Sequence, residues 1–87
     1  MKSASDITCD FVDELIKAHK KHPDFPKDIM HQIGIVNEEV GEATKACLNY
    51  LYEGQPKENI EKELIQTGAM CIRMLQHLSL KNNIYIQ

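Results

Sequence analysis

The chain has 87 residues, 43% of them hydrophobic, with 13 acidic and 10 basic side chains and a formal net charge of −3. This length predicts one domain, residues 1–87, with a small core that often needs a partner subunit or a metal. The mixed charges, without a basic stripe, argue against a nucleic-acid partner. No apolar run reaches the roughly 18 residues that span a bilayer. Three widely spaced cysteines without a CxxC motif indicate free thiols, so we expect a soluble cytoplasmic protein with no membrane partner.

The first predicted helix runs from about Asp6 to Lys21, after a frayed start over residues 1–5 in which Ser3 or Ser5 is the N-cap. Acidic residues gather in its first half and basic residues at its end, which suits the helix dipole. Its apolar stripe consists of Ile7, Phe11, Leu15 and Ala18, widened by Val12 and Ile16.

The segment 22–26 interrupts the helical pattern with two prolines. Asp24 is predicted to cap a second helix, with Pro26 in its first turn. This helix is expected over about residues 25–52, and Gly54 is placed to end it. Its apolar residues recur at spacings of three and four, which predicts one continuous buried seam. The seam consists of Ile29, Ile33, Val36, Val40, Ala43, Cys47 and Leu51.

The third predicted helix starts near Pro56 and reaches about Leu80. Its predicted seam consists of Ile60, Leu64, Thr67, Gly68, Cys71, Leu75 and Leu78. Cys47 and Cys71 are therefore expected to be small core residues. Residues 81–87 predict either an extended tail or an oligomer contact. Nothing favours a sheet, so the expected fold is an all-α antiparallel bundle of three main helices, completed by oligomerisation.

Acidic residues occupy equivalent positions on the second and third helices. At about 100° per residue, Glu39 and Glu63 lie about 100° from their seams, and Glu42 and Gln66 about 160°. Apolar residues lie on the same flank of each helix as these acids, which predicts that the acids are partly buried. Side chains three residues apart are about 5–6 Å apart at Cβ, so two such pairs on packed helices can form an oxygen cage that suits Mg²⁺. The alternative is that EExxE is the ordinary composition of an exposed helix.

Several other residues have two interpretations each. Arg73, the single arginine, is either a phosphate clamp or an ion-pair residue at a surface or interface. The basic end of the first helix either steers a triphosphate or is simply solvated and matched to the helix dipole. Four aromatic residues are candidates for stacking on a nucleobase, and the sequence does not choose among them. The basic end consists of Lys17, His19, Lys20, Lys21 and His22; the aromatic candidates are Phe11, Phe25, Tyr50 and Tyr52.

The pattern Glu38-Glu39-x-x-Glu42, followed further along by Glu63-x-x-Gln66, resembles the EExxE…ExxD motif of MazG-like all-α nucleoside triphosphate pyrophosphohydrolases. The resemblance covers roughly residues 10–78. It implies Mg²⁺, with Mn²⁺ as a substitute, held by Glu39, Glu42, Glu63 and the residue at position 66. Glu38 is then the catalytic acid that binds a second ion or orients water. A homodimer or homotetramer and a nucleoside triphosphate substrate are also implied. For such a substrate, Arg73, Lys20 and Lys21 are the candidate binding residues by their own charge.

One position departs from the family pattern, because Gln66 stands where the motif has Asp. A Gln carbonyl can coordinate Mg²⁺, but it carries no charge and cannot act as a base. We therefore expect weaker metal binding in a pyrophosphohydrolase. The alternatives are a catalytically inactive helical oligomer that binds nucleotide or a protein partner, and a plain interaction domain whose acids face solvent.

Overall fold

The computed structural model describes residues 1–80, which form three α-helices: α1 (Ala4–Lys21), α2 (Ile29–Glu53) and α3 (Glu58–Leu78). No strand occurs within this part of the chain, so the predicted all-α bundle of three main helices is confirmed. The predicted tail, residues 81–87, lies outside the described residues. None of the three helices has both the length and the apolar character needed to cross a membrane.

Helix α1 begins where Ser3 caps it. The Ser3 hydroxyl accepts a hydrogen bond from the Asp6 backbone N–H at 3.1 Å, which satisfies one of the amides that a helix start leaves free. The helix therefore begins slightly before Asp6. Leu15 is buried in the predicted stripe, whereas Val12 and Ile16 at its edge are 46% and 49% exposed.

The segment 22–28 connects α1 to α2, which begins later than predicted. Asp28, not Asp24, is the N-cap, since its carboxylate accepts a hydrogen bond from the amide two residues later at 3.0 Å. The Gln32 side-chain amide donates to the Pro26 carbonyl at 2.7 Å. This bond joins the connection to the first turn of α2, which begins after Pro26 at Ile29.

Helices α2 and α3 form a hairpin that a glycine closes. Gly54 has φ 68° and ψ 18°, in the left-handed region, and its N–H donates to the Asn49 carbonyl. A residue with a Cβ is strained in this conformation, so the predicted helix stop at Gly54 is confirmed. Such a short connection leaves the two helices antiparallel.

Helix α3 is the central helix, because it packs along both α2 and α1 while these two have few direct contacts with each other. The approach of α1 requires a glycine on α3, since a Cβ at Gly68 would lie 2.6 Å from the Phe11 ring. The buried apolar residues of the described chain are Leu15, Val36, Ala43, Ala46 and Ala69. Three of these five are alanines, so the helices bury little apolar side-chain surface among themselves.

The predicted seam of α2 is only partly buried. Val36 and Ala43 are in the core, but Val40 and Leu51 are 46% and 65% exposed, and Ala46 is buried instead. The buried line therefore runs along the flank that also carries the acidic residues, not along the centre of the apolar stripe.

The predicted seam of α3 is wrong at its centre. Leu64 and Leu75 are 54% and 65% exposed, and Cys71 is exposed as well, so it is not a core residue. Ala69 and Arg73, on the other side of the helix, are buried instead. Periodicity located the apolar stripe, but it does not reveal which part of it a neighbouring helix covers: Phe11 of α1 lies against Gly68, whereas Leu64 and Leu75 stay exposed.

Candidate functional site

Two glutamates from different helices face each other across the hairpin: Glu39 of α2 and Glu63 of α3. Both are half-buried, and Oε2 of each is buried without a hydrogen-bond partner in the described chain. Burial raises the pKa of Glu39, and the charges of Glu63, Glu42, Glu38 and Glu14 raise it further. The predicted partial burial of the two flanks is therefore confirmed at these positions. Carboxylate oxygens in this environment are costly unless a proton or a cation accompanies them.

The predicted oxygen cage is not assembled as one group of acids. Within the described chain, no three His, Cys, Asp or Glu side chains are close enough together to hold a metal ion. Glu38 and Glu42 are exposed on α2, and Gln66 is half-buried on α3. The structure thus shows an acidic pair with further acids nearby, and the four-residue ligand set of Glu39, Glu42, Glu63 and Gln66 stays a prediction.

The first of two cavities beside Glu39 lies where the end of α1 meets the hairpin, and we name it the basic-end cavity. Its volume is about 190 Å³. Lys21 of the predicted substrate-binding pair lines it, whereas Lys20 does not. Two lysines, one histidine and two acids thus surround the same space. The lining residues are Glu14, Lys17, Ala18, Lys21, His22, Glu39, Gln66 and Met70.

The second cavity, which we name the arginine cavity, lies between the connection 22–28 and the hairpin. Its volume is about 320 Å³. His22, Glu39 and Met70 line both cavities, so the Glu39 carboxylate stands at the boundary between them. The remaining lining residues are Asp24, Phe25, Pro26, Ile35, Glu38 and Arg73.

Arg73 is the buried cation of the arginine cavity, with only 2% of its surface exposed. Its Nη2 donates to the His22 carbonyl, and its Cζ lies 4.9 Å from the centroid of the Phe25 ring, a cation–π contact. Nε has no partner within the described chain. Burial lowers the pKa of Arg73 and the charge of Asp24 opposes this, but an arginine stays protonated at neutral pH. Arg73 is thus not an exposed ion-pair residue.

Sequence reasoning missed part of this arrangement. Glu14 of α1 was not predicted to be near the site, although it directly precedes the buried Leu15 and is half-buried with it. Phe25 was one of four stacking candidates. The structure places it against Arg73 and against the His77 ring, whose centroid is 4.8 Å away. Little in the sequence indicates these contacts, because they depend on how the connection 22–28 packs against α3.

Comparisons of this chain with protein-family models, with curated proteins and with solved structures found no match. The chemistry of the site therefore follows from its own residues. The acidic pair has unpartnered oxygens, and its member Glu39 lines two cavities that contain lysine and arginine side chains. This arrangement suits a divalent cation together with an anion. A phosphate ester or anhydride with its metal ion has this combination of charges.

Proposed function

We propose that this chain is a Mg²⁺-dependent nucleotide pyrophosphohydrolase of the MazG-like type, which converts a nucleoside triphosphate into a monophosphate and pyrophosphate. The observation that carries the proposal is the pair of half-buried glutamates, Glu39 and Glu63, whose Oε2 atoms lack a partner in the described chain. The order of the helices and the EExxE…Exx pattern support the same function. Lys17 and Lys21 line one of the cavities beside Glu39, and Arg73 lines the other.

The residues present fit a divalent cation. Glu39 and Glu63 would hold it, with Glu42 and Gln66 as further ligands. When bound, Mg²⁺ neutralises phosphate charge and polarises the phosphoryl oxygens. The raised pKa of Glu39, caused by burial and by the neighbouring carboxylates, agrees with this role, since carboxylates that repel each other gain most from a cation between them.

The other side chains bind the substrate and accept the proton of the attacking water. Lys17 and Lys21 attract the phosphates at the end of α1, and Arg73 adds a fixed positive charge on the other side of Glu39. Glu38 lines the arginine cavity and is exposed, so it can orient water and accept its proton. The water oxygen bonds to phosphorus while the bond to the bridging oxygen breaks and pyrophosphate leaves.

The test is pyrophosphate release from a panel of nucleoside triphosphates with Mg²⁺ or Mn²⁺. We expect at least one substrate to be hydrolysed, and we expect Glu39→Gln and Glu63→Gln to lower the rate by about 100-fold or more, on the scale of removing an essential charge stabiliser. Glu53→Gln, an exposed position at the end of α2, is the matched control and should leave the rate unchanged. If the wild type is inert across the panel with both metals, the enzyme proposal is wrong.

A second candidate is a helical oligomer that binds nucleotide without turnover. Gln66 favours it, and so does the absence of a group of three potential metal ligands in the described chain. This candidate predicts that a nucleoside triphosphate raises the melting temperature while no pyrophosphate appears. A non-hydrolysable triphosphate analogue then stabilises the protein as much as the natural nucleotide does.

A further inference from the structure

Glu14 of α1 lies beside the acidic pair although it comes from outside the hairpin. It lines the basic-end cavity together with Glu39 and Gln66. The pKa of Glu39 is raised by burial and by neighbouring charges, that of Glu14 among them, so the two carboxylates are close enough to repel each other. Glu14 is half-buried and adjoins Leu15 of the core. Helix α1 therefore contributes a carboxylate to a site that is otherwise built from α2 and α3.

The carboxylate of Glu14 is not neutralised by the lysines of its own helix. A lysine one turn away is the ordinary partner of a helical glutamate, and both Lys17 and Lys21 line the same cavity. Within the described residues, however, the single ion pair joins Lys2 to Asp10. The negative charge of Glu14 is thus available to a cation in the basic-end cavity.

Position 66 is the place where the acidic set of the hairpin lacks a charge. Of the four equivalent positions on α2 and α3, three carry a carboxylate and the fourth is Gln66; the three acids are Glu39, Glu42 and Glu63. A side-chain amide offers an oxygen ligand but no negative charge. Gln66 and Glu14 line the same cavity, so the carboxylate that α3 lacks at this point is present on α1.

We propose that Glu14 supplies the carboxylate that position 66 lacks and helps to hold the divalent cation of the acidic pair. This inference rests on the proposed function, since it concerns the same metal ion. Within the described chain no three acidic, histidine or cysteine side chains are close enough together to hold an ion, so we assign Glu14 to a water ligand of the ion. Mg²⁺ suits this role, because it gives up its waters reluctantly and keeps several of them in protein sites. A carboxylate that accepts a hydrogen bond from such a water strengthens the binding of the ion.

Calorimetric titration of the nucleotide-free protein with Mg²⁺ tests this role without any turnover. We expect Glu14→Gln to raise the dissociation constant about tenfold, the lower end of the loss that follows removal of an outer partner of a metal site. The matched control is Asp13→Asn, which removes the same charge at an exposed neighbouring position outside the basic-end cavity and should bind Mg²⁺ as the wild type does. Equal affinities of Glu14→Gln and the wild type overturn the proposal. So does an equal loss in both variants, which would show an effect of net charge alone.

A second variant moves the charge from α1 back to α3. The double variant Glu14→Gln with Gln66→Asp has the wild-type number of carboxylates around the cavity. We expect its dissociation constant for Mg²⁺ to lie within about threefold of the wild-type value, because a loss and a gain of similar size offset each other. If the double variant binds as weakly as Glu14→Gln alone, the two positions do not exchange their roles and the proposal is wrong.

The melting temperature separates this role from a structural one. Glu14→Gln removes a charge that repels Glu39, so in EDTA it should melt no lower than the wild type, yet added Mg²⁺ should raise its melting temperature less. A variant that melts lower in EDTA and gains as much from Mg²⁺ as the wild type has lost only packing, which overturns the proposal. The two hypotheses fail differently. A wild type that binds no divalent ion removes both, whereas a wild type that binds Mg²⁺ no more tightly than Glu14→Gln removes this inference alone.

Discussion

The two sides of the α2–α3 hairpin contrast in a way that is unusual for a helical bundle. On the cavity side, charged groups are removed from water: Arg73 is buried, and Glu39 and Glu63 each have a buried oxygen without a partner. On the opposite side of α3, Leu64 and Leu75 remain more than half exposed. Polar groups thus lie where apolar ones are expected, and the reverse holds on the other side.

The contrast shows that each side is energetically incomplete within one chain. Buried carboxylates cost free energy until a cation or proton accompanies them, and exposed leucines cost free energy until another apolar surface covers them. The two sides differ in what completes them. On the cavity side a positive charge would complete the carboxylates, whereas on the opposite side of α3 apolar area would cover the leucines.

The largest effect on stability is expected from replacing the buried Arg73, because this side chain already has partners within the chain. Arg73→Ala removes its hydrogen bond to the His22 carbonyl and its contact with the Phe25 ring. Hydrogen bonds of charged groups contribute about 1.5–3 kcal/mol, so we expect the free energy of unfolding to fall by about 2–3 kcal/mol. Urea denaturation at a fixed protein concentration measures it.

The control for this variant is Gln76→Ala, an exposed position on the same helix. It should change the free energy of unfolding by no more than about 0.5 kcal/mol. If Arg73→Ala is equally mild, the guanidinium does not hold the connection 22–28 to the hairpin, and the cavity side has no stabilising group of its own.

Position 66 on the cavity side carries no charge, and introducing a carboxylate there tests whether the position belongs to a metal site. Gln66→Asp places a carboxylate at a position that lines the basic-end cavity with Glu39. We expect the dissociation constant for Mg²⁺, measured by calorimetry, to fall about tenfold, which is about 1.4 kcal/mol. Gln76→Asp introduces the same charge on an exposed part of α3 and should have no such effect. Equal affinities in the two variants would mean that position 66 is outside the metal site.

Helix number, helix type and most of the caps were predictable from the sequence, because they depend on local chemistry. Ser3 and Gly54 act at the helix ends through their own backbone and side-chain atoms. Asp28 was missed in favour of Asp24, since both precede the same apolar run. The structure adds a bond from Gln32 to the Pro26 carbonyl, a contact of the connection that a local pattern does not reveal.

The side of each helix that is buried was not predictable in the same way. Leu64, Cys71 and Leu75 form the strongest periodic signal on α3, and the structure leaves them exposed. The pattern identifies the apolar side of a helix, but it does not say which part of that side the other helices of the chain cover. By contrast, the approach of Glu39 and Glu63 followed from their equivalent positions on two packed helices, and the coupling between their charges agrees with it.

The smallest predicted effect concerns the pH dependence of the metal-free protein. Burial and the neighbouring carboxylates raise the pKa of Glu39 above its ordinary value of 4.5, so the folded state binds this proton more tightly than the unfolded chain does. The resulting stabilisation is fully present below the unfolded pKa and is lost as the pH rises through the folded pKa. In EDTA, Glu39→Gln should therefore melt close to the wild type near pH 4 and a few degrees higher near pH 7.

The difference in melting temperature between variant and wild type, followed from about pH 4 to about pH 7, isolates this one carboxylate because the other titrating groups are common to both. Glu53→Gln, at an exposed position, should give a flat difference over the same range. A flat difference for Glu39→Gln would show that the carboxylate is as well solvated in the folded chain as in the unfolded one. In saturating Mg²⁺ at neutral pH we expect the wild type to melt above Glu39→Gln, the reverse of the order in EDTA. The wild type then gains the cation that the variant binds poorly. The cavity side would thus change from a destabilising to a stabilising surface on metal binding alone.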